Sequence, residues 1–441
     1  MIRFYIYALI FNLGILIFVH ELGHFLAARA AGVRVERFSM GFGPRILKFT
    51  RGATEYALSI IPFGGYVKMS GMDPSEVKEG TEPGPGTFLG KRIGIRALIV
   101  AAGPSTNLIW AILVIVGVLL VTGVSTGGDP VVGEVHADSP AARAGLVFGD
   151  RVLAVNGRSV KSWADVDAAA AEAEDGLLGL SVERGSEHPD TVNLVLDSSS
   201  LPDENGQGLG FTPYVAPVVG DVMSGGPAQR AGLQQGDRIV SVDSTAVDTW
   251  SEIGQMIRAH AGDTLTVEWL RDGELMSAVV VPEEGEEPVG TTEVRKVGLI
   301  GILQPIETRR VGFFEAVGMS VRYAFVSLAL IVQFFAGLVT GQVSPGMLGG
   351  PIRVVQMASE SARWGASYFF GFMAFMSLNL FLINMLPLPI LDGGHLLLMA
   401  LEKVRGRGLT ERQLMVWQQV GIVFFASLMV LLLVLDAFRL R

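Results

Sequence analysis

Apolar residues gather in five blocks along the chain, at 4–28, 97–124, 313–340, 366–391 and 418–438. Each is long enough to cross about 30 Å of hydrocarbon as a helix, which takes roughly 20 residues. The stretch 125–312, between the second and third blocks, reads differently. It has strand-like runs broken by Gly and Asp turns, interspersed with helical stretches, and an ordinary soluble composition. The pattern predicts membrane, soluble insert, membrane. Half of the 441 residues are hydrophobic and only 17% are charged, which is too apolar for a water-soluble enzyme.

Ala27-Ala28-Arg29-Ala30-Ala31 has the small residues of a signal-peptidase site. A cleaved signal has no use for His20, Glu21 and His24 at its end, so 4–28 is expected to be a retained helix. Lys and Arg collect on the cytoplasmic side of membrane helices. Residues 29–96 carry 11 Lys/Arg against 6 Asp/Glu, and the loop after residue 402 holds Lys403, Arg405, Arg407 and Arg412. Both are therefore expected in the cytoplasm. Helices 4–28, 97–124, 366–391 and 418–438 then cross, and the insert, with 13 Lys/Arg against 30 Asp/Glu, lies outside. A crossing by 313–340 would move Asp392 to the face opposite His20 and His24. That block, interrupted by Gly318 and Gly337 and carrying Arg322 and Gln333, is expected to lie on the outer surface as an interfacial helix, with a crossing the alternative that its length allows. No segment has the basic patch that nucleic-acid binding requires.

The insert is an internal repeat. At a constant offset of 87, Val131–Trp163 and Val218–Trp250 are identical at 16 of 33 positions. Each copy runs from a VVG strand through an Ala-Gly-Leu turn and a Gly-Asp corner to a Trp that opens a helix. This pattern resembles the bacterial PDZ domain, whose members capture chain ends or loops by adding a strand to a sheet edge. The segment Gly208-Leu209-Gly210-Phe211 resembles that family's carboxylate-binding loop, and it stands between the copies without revealing which one uses it. The copies are equally readable as rigid spacers, since fold does not fix function. The expected division is 1–124 as a first membrane half, 125–212 and 213–290 as two α+β PDZ domains, 291–365 as a linker with interfacial helices, and 366–441 as a second membrane half.

His20-Glu21-Leu22-Gly23-His24 is an HExxH sequence on the first predicted helix. Residues four apart share a helix face, so two imidazoles can grip one metal ion with Glu21 placed to act as a base. Zinc lowers the pKa of a bound water towards about 7. Three ionisable residues in a membrane helix are expensive and are kept for function. The chain has no Cys, so a third ligand must be His, Asp or Glu. Asp392 is the preferred candidate. It follows an apolar helix broken at Pro387 and Pro389, on the predicted cytoplasmic side with the histidines. His395, three residues on, is the competing ligand.

HExxH on the first helix together with Asn384-Met-Leu-Pro387-Leu-Pro389-Ile-Leu-Asp392-Gly393 on a late one resembles the site-2 protease family. The tandem insert after the second helix resembles its sigma-E-regulating branch in Gram-negative bacteria. The resemblance implies an inner-membrane enzyme with one Zn2+ held by His20, His24 and Asp392, and with Glu21 as catalytic base. It implies that Asn384 holds the substrate strand, and that the repeats face the periplasm with the active site near the cytoplasm. Single-span membrane proteins, anti-sigma factors and remnant signal peptides among them, would be the substrates. The segment Glu55–Met69, with its Gly64-Gly65 turn, would dip into the bilayer as a β-hairpin and offer an edge to an unwound substrate. Gly103-Pro104 and Asn107 match another feature of the family and read equally well as an allowance for close helix packing. Gly349-Gly350-Pro351-Ile352 recurs in the family without an evident chemical role. A non-enzymatic PDZ adaptor in the membrane is the alternative. A metal transporter fits less well, because only one polar cluster stands in the apolar blocks.

Overall fold

The computed structural model describes residues 2–72, 84–171, 177–185, 189–197, 210–289, 293–408 and 410–439. The chain forms two compact units, one made of residues 1–121 and 312–441 and the other of 122–311.

The first unit contains helices α1 (Ile2–Ala30), α2 (Ile93–Thr122), α3 (Phe313–Thr340), α4 (Pro351–Trp364), α5 (Ala366–Met385), α6 (Asp392–Arg405) and α7 (Glu411–Arg439). Among the described residues, five helices are long and apolar enough to cross a membrane, namely the Phe11–Ala30 part of α1, α2, α3, α5 and the Arg412–Asp436 part of α7. Large apolar side chains such as Leu98, Leu113, Leu330 and Val430 point outward, as expected of helices bathed in lipid. The helices meet instead through small residues. Ala111 and Ile115 of α2 pack with Ala324 and Leu328 of α3 and with Ala374 and Leu378 of α5. Ser377 of α5 donates to the backbone oxygen of Asn107 at 2.7 Å. Where lipid is as apolar as Leu, close approach and polar bonds are what hold helices together.

The Gly-Gly-Pro-Ile sequence at 349–352 acquires a role here. The N–H groups of Gly350 and Ile352 donate to the buried Asp436 carboxylate of α7 at 3.0 and 2.9 Å. A helix start leaves such donors unmatched, and here a different helix supplies the cap.

Strands β1 (Val35–Arg51) and β2 (Thr54–Met69) form more than the simple hairpin expected. Both are bent, β1 at Gly41 and Gly43 and β2 at Gly64, all with positive φ. Residues 35–40 therefore pair with 65–69 on one side and with 55–58 on the other, while 45–51 pair with 54–59. The result is four short legs in the order 65–69, 35–40, 54–61, 45–51. The legs 54–61 and 45–51 expose Ile46, Leu47, Phe49, Ile60 and Ile61, an apolar surface that would aggregate in water.

The second unit holds the two repeats. In the first, the strand order is Arg158–Ser159, Arg151–Val155, Leu177–Arg184, Asp190–Asp197; in the second it is Thr245–Ala246, Arg238–Val242, Leu265–Arg271, Glu274–Val280. Helices Trp163–Ala171 and Trp250–Arg258 contribute Val166 and Ile253 to the respective cores. Phe211 settles in the first core against Trp163, and its strand pairs with Val132–Val135. The first repeat is thus the one that uses Gly210 and Phe211; Gly208 and Leu209 lie outside the described residues. The second repeat does not close at 290, where the sequence pattern ended it. A hairpin of Glu283–Val289 with Glu293–Leu299 intervenes, and then Ile300 enters the second core and Ile302–Leu303 pairs with Asp221–Val222. Val124–Ser125 pairs with Thr308–Arg309, so the chain enters and leaves this unit side by side.

The Gly-Asp corners explain themselves. Asp237, buried, accepts two bonds from Arg271 at 2.7 Å each and one from the Gln234 N–H at 2.7 Å. Asp150 does the same with Arg184 and Val147. Removing one partner of such a pair strands the other, at about 3–5 kcal/mol when both are buried and less for an Arg271 that is partly exposed. Asp237→Ala is expected to cost about 2–3 kcal/mol. In the full chain this reads as a loss of amide-exchange protection in Leu265–Arg271 with Leu177–Arg184 unchanged.

Candidate metal centre

His20 and His24 lie one turn apart on α1, and Asp392 is the first residue of α6. Their ligating atoms converge. The two Nε2 atoms are 3.3 Å apart, and Asp392 Oδ2 lies 3.1 Å from His20 and 3.5 Å from His24. Tetrahedral ligands on bonds of about 2.0–2.1 Å stand roughly 3.3–3.4 Å from one another. The three separations therefore fit a single zinc ion. Among the described residues this is the only group of three such side chains close enough to hold a metal. His395 stands outside this group.

Both histidines are held from behind. His24 Nδ1–H donates to Ile99 O of α2 at 2.9 Å, which leaves Nε2 unprotonated and aimed at the centre. Pro104, inside α2, has no N–H to close its own turn. His20 Nδ1 lies 3.3 Å from the side-chain amide of Asn107. Burial works to raise the Asp392 carboxyl, but bonds from His20 and His24 outweigh it and hold it well below the usual carboxylate range. A lowered carboxyl favours the ionised form that a metal ligand needs.

The backbone is cut to fit. A Cβ on Gly23 would stand 2.4 Å from Ala102 O, and one on Gly103 would stand 2.2 Å from His24 Nε2. Helices α1 and α2 cross here because both residues lack side chains. On the other side, Cβ atoms at Gly393 and Gly394 would meet the carbonyls of Met385, Leu386 and Leu388 within 2.4 Å. The segment after α5 folds over the start of α6, and Ile390 takes φ of 77° to do so, a conformation a β-branched residue rarely adopts. Gly421 of α7 makes room for Pro389 and Ile390. The far end of α6 is tied back by Glu402, which accepts from the buried Arg96 of α2 at 2.5 Å.

Of the remaining residues singled out in the sequence, Gly65 lies against the site: a Cβ there would be 3.0 Å from Glu21 Cγ. Gly64 faces Phe42 instead. Asn384, half-buried, is the penultimate residue of α5 and is not one of the three clustered side chains. No local sequence signal points to the Arg96–Glu402 tie, to the Ile99 carbonyl or to the counterpart of Gly210 in the second repeat. That counterpart is Gly301: its oxygen accepts from Met223 N at 2.9 Å as Gly210 O accepts from His136 N at 2.9 Å.

The model of peptidase family M50 matches residues 8–428. The regulator of sigma-E protease RseP of Escherichia coli (strain K12) is 36% identical over 445 residues, covering 97% of each chain. Its namesake in Salmonella typhimurium (strain 14028s) is 36% identical over 450 residues, covering 98% of each. A Vibrio cholerae protein named as a zinc metalloprotease is 34% identical over 451 residues, again covering 98% of each. Matched along nearly its whole length, in the apolar helices and the insert alike, this chain belongs to peptidase family M50.

Proposed function

We propose that the chain cuts the transmembrane segments of single-span proteins, using one zinc ion held by His20, His24 and Asp392. The observation that carries this is the three-ligand cluster with zinc spacing at the crossing of apolar helices. Three protein ligands leave the fourth position that a hydrolase needs, whereas structural zinc has four. This favours the protease over an adaptor with a structural metal.

When bound, zinc supplies Lewis acidity, lowering the pKa of water and polarising an oxygen. The chain supplies the rest. Glu21, next to His20, takes the proton from the attacking water and passes it to the leaving amine. A peptide bond in an intact helix is sterically hidden, so the substrate must be extended first. Among the described residues the leg 65–69 has strand partners in 35–40 alone. With Gly65 against Glu21, the other edge at 65–67 would offer N–H and C=O groups to an extended substrate beside the base. Asn384, at the end of α5, would hold that strand from the other side. The first repeat, through Gly208–Phe211, would read ends of trimmed substrates, as would the second through Leu299–Gly301.

Connectivity supports four crossings, with the segment from the start of α3 to Gly350 beginning and ending on one face. Helices α2 and α5 run antiparallel, with the metal cluster near the first turns of α2 and just past the end of α5. Thr122 and Ala366 then share the opposite face. The paired segments 124–125 and 308–309 start α3 on that face as well. Gly350 is bound to Asp436, about four turns along α7 from Gly421, which sits beside the metal-side loop. Gly350 is accordingly on the opposite face too. A crossing by α3 would have to be undone by 341–349, nine residues that reach about 30 Å only if fully stretched. The basic segments 29–96 and 403–412 favour a cytoplasmic site and a periplasmic insert.

Metal removal tests the reading. The purified chain is expected to hold about one zinc and to cut a tagged single-span substrate, to stop when chelated, and to resume with one equivalent of zinc. Cleavage that survives full removal of metal would overturn it.

A further inference from the structure

Asn107 is fully buried in α2, and its amide has one end on His20 Nδ1 and the other on nothing. Nδ2 lies 3.3 Å from His20 Nδ1, and Oδ1 has no hydrogen-bond partner among the described residues. A buried polar atom without a partner calls for an explanation. An imidazole that binds metal through Nε2 carries its proton on Nδ1. With zinc bound, Nδ1 is a donor, and Nδ2 facing it would set donor against donor. The two ends of a primary amide are nearly the same shape, so a half-turn about Cβ–Cγ brings Oδ1 onto Nδ1–H without disturbing the packing. His24 already has this arrangement, with Ile99 O behind its Nδ1.

We propose that Asn107 is a positioning residue for zinc: its side-chain oxygen accepts the Nδ1–H of His20, fixing the tautomer and aim of that ligand as the Ile99 carbonyl does for His24. Ser377 of α5, donating to Asn107 O at 2.7 Å, holds the residue's backbone in register. In either orientation one end of the amide stays unpaired in an apolar helix crossing, so the residue works against stability. A polar side chain retained at such a site serves function, and a Leu there would pack at least as well.

The inference rests on the metalloprotease reading, and zinc binding rather than cleavage tests it. Zinc affinity is measured by chelator competition on the detergent-purified full chain, with thermal unfolding of the metal-free protein alongside. Asn107→Leu is expected to weaken zinc binding about 10- to 100-fold without lowering the apo midpoint. Asn107→Asp, which keeps an acceptor and loses the donor, is expected to bind zinc as tightly as wild type or tighter. Wild-type affinity in Asn107→Leu overturns the assignment and leaves the metalloprotease reading standing. If Asn107→Leu does not fold, Asn107→Asp decides alone, because a loss of zinc there means that Nδ2 was the working end and overturns the proposal. A wild-type chain that binds no zinc overturns the functional reading itself.

Discussion

Glu21→Gln is expected to keep zinc and to lower cleavage by about 10²- to 10⁴-fold, the range over which a positioned general base contributes. Glu21 is not one of the three clustered ligands, so its loss leaves the metal's donors intact. Gln has the same shape, which preserves the close contact with Gly65 and with it the placement of the 65–69 leg. What disappears is the ability to take a proton from water and return it to the amine. Zinc content by elemental analysis and cleavage of a tagged single-span substrate separate the two effects. Undiminished cleavage would remove Glu21 as the base, and loss of zinc would make it a ligand.

The parts of this site that were legible in the sequence are those whose geometry is local. His20 and His24 share a face because a helix turns every 3.6 residues, and Asp392 was preferred from its place after two prolines. The repeat was legible because its two copies keep a constant offset through Trp250. Beyond that, the hairpin Glu283–Leu299 breaks the offset, so the strand that closes the second repeat could not be aligned with Phe211. The bent legs of β1 and β2 were missed because each strand pairs with two segments at once, and a period of two does not say where a strand folds. The supports behind the ligands were invisible for a plainer reason. Ile99 lies 75 residues from His24, and Arg96 lies 306 from Glu402. Nothing in a local pattern records such partners.

The glycines at the centre carry information of the same long-range kind. In sequence, Gly103 reads as a packing residue before a proline, and Gly393 and Gly394 read as a motif. In space each marks a point where backbone meets backbone or ligand with no room for a methyl group. The geometry of the His20–His24–Asp392 cluster is therefore set by helix separation as much as by its own side chains. Helix α1 presents the histidines at the right depth only while α2 can come within contact distance behind them.

Gly103→Ala is expected to show this directly. The added methyl would lie 2.2 Å from His24 Nε2, the atom that would bind metal, with the ring carbons at 2.4 and 2.7 Å. Either His24 turns away or α2 retreats, and in both cases the bond to Ile99 O is strained as well. Overpacking of this kind costs about 1–3 kcal/mol. Since the clash falls on a ligand, that corresponds to roughly 5- to 150-fold weaker zinc binding. Cleavage should fall further, because a misplacement of about 1 Å at a reacting centre alone costs on the order of 100-fold. Gly117→Ala, on the same helix with open space around its added methyl, is the control. It should leave zinc and cleavage unchanged and stabilise α2 by about 0.5–1 kcal/mol. Chelator competition and cleavage on the two variants side by side distinguish a specific clash at the metal from general sensitivity of α2. If Gly103→Ala behaves like Gly117→Ala, the close crossing of α1 and α2 does not set the geometry of the site.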